Sequence, residues 1–175
     1  MTAKFWVDLR PNRSVGREGV TTGLFGAAVV AIFYLAVDVA RGRPLMTPSV
    51  LGDAFILRRP VRMDSPDMTA VLAYTVVHIA AFVGFGLLLA AFARASERSS
   101  LARYAIVQLL VAFVVFFYGV VSIGSEVVRG FFPFVGILFA NALAGMVMLA
   151  WLWRRHPMLR SAIANTPLGA SDGSA

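Results

Sequence analysis

Two polar side chains lie deep inside apolar runs, and their types decide what chemistry the chain can offer. His78 sits in Met68–Ala93, a run without a formal charge, and Asn141 sits in a second apolar run over 131–153. A helix rises ~1.5 Å per residue, so each lies ~15 Å from a helix end, near the middle of a ~30 Å bilayer core. An ionisable group at that depth is a candidate for function. Three roles are open to His78. It could bond Asn141 at the same depth as interhelical packing, a contact of ~0.5–2 kcal/mol in lipid. A ring nitrogen could be the axial ligand of a haem iron or of a chlorophyll-type pigment, with Gly84 and Gly86 leaving room for a flat ring beside Phe82 and Phe85. Alternatively, His78 and Asn141 could handle a proton or a substrate. A second intramembrane histidine is absent, which excludes bis-histidine ligation within one chain. His156, in an Arg-Arg-His-Pro sequence, reads as a solvated residue at headgroup level.

A second group is charged. Asp38 stands one turn inside the end of the first apolar run, three residues before Arg41 and five before Arg43. A local carboxylate–guanidinium pair is the economical explanation for that charge. Glu126 and Arg129, between two later runs, are expected on the same side as Asp38, Arg41 and Arg43. Such a cluster either pins loops onto a bundle or presents arginines to an anionic ligand or lipid headgroup.

Much chemistry is excluded. The chain contains no cysteine, hence no disulfide, thiolate nucleophile or iron–sulfur cluster, and no metal-ligand spacing is visible. No carboxylate pair stands in an apolar run for acid–base work, and Gly84-Phe85-Gly86 lies mid-helix, not in a phosphate loop. The net charge of +7 gathers at the ends of apolar runs, where Lys and Arg meet lipid headgroups, so nucleic-acid binding is not expected.

The elements that must carry these residues are read from hydropathy. Among 175 residues 59% are hydrophobic, with a mean hydropathy of +0.78, which places the chain among integral membrane proteins. Four spans are predicted, at about 19–40, 68–93, 101–123 and 131–153, between a polar arm over 1–16 and a polar tail over 157–175. Gly19 and Gly23 in the first span and Gly136, Ala140 and Ala144 in the fourth have the small-xxx-small spacing of close helix packing. The third span, with Phe113, Phe116 and Phe117, reads as facing lipid or pigment. Between the first two spans, Thr47-Pro48-Ser49 and the apolar residues after it predict a short amphipathic helix at the membrane surface, open to a partner or lipid. Ten Lys and Arg flank one side of the four spans and six the other, which predicts cytoplasmic N and C termini.

The fold expected is therefore an all-α integral membrane protein, a four-helix bundle with an interfacial helix in its first outer loop. GLFGAAVVAIFYLAVDVARGRPLMTPSVLG, followed by a span with a central histidine, resembles a loose group of uncharacterised bacterial four-span membrane proteins. The resemblance covers about the first ninety residues and implies the bacterial inner membrane. By further analogy, small polytopic chains of this kind occur as accessory subunits of photosynthetic or respiratory complexes. The function expected is a non-catalytic accessory or structural subunit of such a complex, with membrane lipids and other integral membrane subunits as partners. The alternatives are a tetrapyrrole-binding protein using His78, with haem or a chlorophyll-type pigment as cofactor, and a small transporter or intramembrane enzyme.

Overall fold

The computed structural model describes residues 13–96, 109, 111–115, 119 and 134–156. The described residues are helical wherever they are regular. Helix α1 spans Arg13–Ala40, α2 Met46–Leu51 with a π-helical turn Gly52–Leu57 continuing it, α3 Met68–Ser96, and α4 Phe134–Arg155. Three of these, α1, α3 and α4, are long and apolar enough to cross a membrane. Where no water can satisfy backbone N–H and C=O groups, each segment must bond within itself, so even stretches rich in valine and glycine become helix. Residues 109, 111–115 and 119, within the third expected span, are helical, while the rest of that span lies outside the described residues. The polar tail, Glu126 and Arg129 also lie outside them. Helix α1 begins at Arg13, within the stretch expected to be a polar arm.

Helix α1 packs along both α3 and α4, which scarcely touch each other. Both pairings are antiparallel. Gly19 meets Leu87 and Gly23 meets Val83, whereas Phe25 stacks edge-on with Trp151 and Phe33 lies near Phe139. The core of the bundle is formed by Phe82, Leu89, Ala140, Ala144 and Met148, all fully buried. Phe113, expected to face lipid or pigment, is instead buried and stacks on Phe85 with centroids 4.0 Å apart.

A hydrogen-bonded clasp closes one end of the bundle, termed here the loop end. Helix α1 stops in a Schellman turn. Gly42, with φ 68°, takes the left-handed position; the Gly42 N–H donates to Val39 O and the Arg43 N–H to Asp38 O. Pro44 follows and prevents continuation. The chain then folds back so that Met46, Val50 and Leu51 bury themselves with Ile137 and against Tyr34 and Tyr74. The expected amphipathic helix is thus present, but its apolar face covers the bundle and is not left for a partner. Gly52 is required there, because a methyl on it would lie 2.9 Å from Ala70 Cα.

Candidate functional site

Two residues predicted from the sequence to do chemistry, His78 and Asp38, line a cleft of about 370 Å³ between α1 and α3, near the loop end. Ala27, Ala31, Tyr34, Asp38, Tyr74 and His78 are among its lining residues. The alanines of α1 leave the space, and the polar groups stand on its walls.

His78 is fixed on both sides. Its Nε2 lies 3.2 Å from the carbonyl oxygen of Ala27, and its Nδ1 lies 3.4 Å from the Tyr74 hydroxyl. A carbonyl can only accept, so these partners assign the proton to Nε2 and leave Nδ1 to accept from Tyr74. The ring is held between Tyr74 (5.3 Å, stacked) and Phe82 (4.8 Å, tilted). The hydrogen bond expected between His78 and Asn141 is not formed. Asn141 donates from Nδ2 to Ile137 O of its own helix at 2.8 Å. Equal depth did not bring the two together, because α1 packs along both helices while α3 and α4 scarcely touch.

An axial tetrapyrrole bond does not fit this arrangement. It would need a bare nitrogen, whereas Nε2 carries its proton toward Ala27 and Nδ1 faces Tyr74. Gly86, expected to admit a flat ring, instead admits the backbone of α1: a methyl on it would lie 2.8 Å from Gly23 Cα. Gly84 meets nothing within 4 Å, but both ring nitrogens of His78 are turned to other partners.

Asp38 differs most from expectation. It is fully buried and pairs with neither Arg41 nor Arg43. Its two carboxylate oxygens accept from the backbone N–H and the hydroxyl of Thr47, each at 2.7 Å. Leu45, at the N-cap position of α2, adopts a left-handed conformation and offers no capping side chain. Asp38 therefore caps α2 from the neighbouring helix, and its charge also suits the positive end of that helix. Arg41 and Arg43 are exposed.

Sequence reasoning missed the charges of the loop itself. Asp67 Oδ1 caps α3 by accepting from the N–H groups of Thr69 (2.8 Å) and Ala70 (3.2 Å), and its own N–H donates to Ser49 Oγ. Arg59 bridges Asp53 Oδ1 and Asp67 Oδ2, 2.7 Å from each. The N–H groups of Ala70 and Thr69 and the Arg59 guanidinium hold the Asp67 carboxyl below its ordinary range, and the bond to Asp53 raises Arg59. The available signal was Ser65-Pro66-Asp67 directly before an apolar run, an N-cap pattern.

At the opposite end His156 is not solvated. It is buried, and its Nε2 lies 3.1 Å from Glu18 Oε1, tying the end of α4 to the start of α1. Of the residues expected to pack helices, Gly19 and Gly23 meet α3 directly, and Ala140 and Ala144 are fully buried. Gly136 has nothing within 4 Å of where a methyl would stand.

The architecture and its polar contacts define a helical membrane protein whose long apolar helices meet lipid. No known protein family, curated protein or solved structure matches the chain.

Proposed function

We propose that the protein is a four-span, non-catalytic subunit that packs against other integral membrane subunits, with photosynthetic and respiratory complexes of the bacterial inner membrane as the assemblies to test first. The observation that carries this reading is how its polar side chains are used. Those described within the long helices serve local bonding: His78 to Ala27 and Tyr74, Asn141 to Ile137, Thr22 to Glu18 O, and Thr75 to Val71 O. Catalysis and ion translocation require a polar group whose partner is the substrate. Here one bond, His78 to Ala27, joins two helices, and the others close within a single helix.

The fourth span is supported by parity. Helix α3 runs away from the loop end and α4 starts back at it, which favours a chain between them that crosses back. The uncharged run from Ala105 to Ile123 has the length for that crossing, and Phe113 within it stacks on Phe85 of α3. The basic residues on the two sides favour cytoplasmic termini.

The experiment is purification of the full chain from its native membrane in a mild detergent and identification of co-migrating proteins. Stoichiometric integral membrane partners are expected. Leu72 and Val76 are exposed on one stripe of α3, so Leu72→Asn with Val76→Asn should release the chain from its partners without unfolding it. A chain that migrates alone from freshly solubilised membranes overturns the reading.

A further inference from the structure

At the end opposite the loop, three helix termini surround a polar crevice of about 600 Å³. Arg17 comes from the first turns of α1, Arg94 from the last turn of α3, and Arg155 from the last turn of α4, with Glu18, Trp151 and His156 completing the walls. Among the described residues of this lining, Arg17 and Arg155 face a single carboxylate, Glu18. Glu18 Oε1 itself lies 3.1 Å from His156 Nε2. The negative ends of α3 and α4 offset about half a charge each, and the positive end of α1 returns about as much. Arg17 and Arg155 outnumber Glu18 among the described lining residues without counting Arg94.

Its position and materials narrow what it holds. Arg155 lies over the Trp151 ring, with its guanidinium carbon 4.8 Å from the centroid, so its fork is held at the rim by a cation–π contact. Trp151 itself packs edge-on against Phe25, and its indole N–H is buried without an acceptor among the described residues. Tryptophan and arginine together mark the headgroup level of a bilayer. Guanidinium forks match the paired oxygens of a phosphate. The site is assembled from three separate helices and is open at its rim, so it accepts an anion that arrives after the bundle forms.

We propose that this crevice binds a phosphate oxyanion at the membrane boundary, and that the phosphodiester headgroup of an anionic lipid is the source its depth favours. Arg17 and Arg155, both exposed at the rim, clasp the phosphate, and Trp151 supports the glycerol region beside it. The inference does not depend on the protein being a subunit of anything, because it concerns the isolated chain and its lipid.

The test uses the full chain in a neutral detergent, titrated with short-chain phosphatidylglycerol or phosphatidylcholine and read by native mass spectrometry. Phosphatidylglycerol is expected to be retained at one copy per chain, and phosphatidylcholine far less. Arg17→Gln with Arg155→Gln should weaken that retention on the order of tenfold, while Arg17→Lys with Arg155→Lys keeps most of it. Equal retention of the two lipids by the natural chain overturns the proposal, as does a double Gln variant with unchanged preference. Glycerol 3-phosphate added as competitor assigns the source. Displacement of the lipid identifies a general phosphate site, and resistance identifies a lipid site. Should the double variant fail to fold, Arg17→Gln alone carries the same reading, since that side chain is exposed.

Discussion

Along α3, helix α1 approaches so closely that a methyl on Gly19 would lie 2.6 Å from Leu87 Cα and one on Gly23 2.5 Å from Val83 Cα. Along α4 the same helix is held off by rings, with Phe25 4.9 Å from Trp151 and Phe33 5.8 Å from Phe139 between centroids. Lipid tails are as apolar as leucine, so neither contact is driven by removal of apolar surface from water. The first holds by backbone proximity and by the His78–Ala27 bond it makes possible, the second by the shape of large side chains along its length and by the His156–Glu18 contact at its end. A backbone contact has nothing that can move aside. A ring contact does.

The largest expected effect follows from that difference. Gly23→Leu should cost at least about 3 kcal/mol, since its side chain meets the backbone of Phe82 and Val83. Phe33→Leu on the other face should cost under about 1.5 kcal/mol. Unfolding in mixed detergent and SDS micelles measures both. Equal losses would mean that the two interfaces hold by the same means.

Next in size is the cap that Asp38 lends to α2. Asp38→Ala strands the buried N–H and hydroxyl of Thr47, a loss of about 2–3 kcal/mol. Because α2 packs mainly on α3 and meets α4 at Ile137, near the start of that helix, the loss should appear as faster amide exchange over Met46–Leu51, with α4 beyond its first turns unchanged. Exchange rising equally throughout α4 would show that the clasp holds the whole bundle together.

The sequence made the axial layout legible and left the rotational layout dark. Runs of uncharged residues mark α1, α3 and α4, and the spacing of Gly19 and Gly23 marks the face that meets α3. Residue counting gives depth, which is why His78 and Asn141 are both found within apolar helices. It gives no azimuth, so the bond between them was an error of rotation, as was Phe113 facing lipid. The same holds for Gly136, which has the small-xxx-small register of Ala140 and Ala144 but no described neighbour. Asp38 misled for another reason. Three residues separate it from Arg41 along a helix, but a buried carboxylate is better served by two short bonds to a nearby helix start than by a solvated guanidinium. That start is nine residues away across a Schellman turn, a distance that local pairing rules do not reach.

Asp67 sharpens the comparison through pH. Its carboxyl is held below the ordinary range by the start of α3 and by Arg59, so its contribution is present above the unfolded carboxylate range. It is lost as pH falls through the lowered folded value. Asp67→Asn should therefore be cut faster than the natural chain by a protease acting within residues 58–67 near neutral pH. The two should converge in acid. A gap that widens on acidification would reverse the sign of the linkage.

The smallest effect expected comes from a glycine that neither interface uses. Gly84 stands two residues from Gly86 on α3, yet a methyl on it meets nothing within 4 Å, and Gly84 itself is exposed. Glycine within a helix is less favourable than alanine by roughly 0.5–1 kcal/mol because it leaves more backbone freedom to lose. Gly84→Ala should therefore raise resistance to SDS unfolding by up to that amount, whereas Gly86→Ala lowers it. The two substitutions add the same atom to the same helix. Opposite signs would show that close approach is confined to one face of α3, and a loss at Gly84 would place a further helix against the face that is open here.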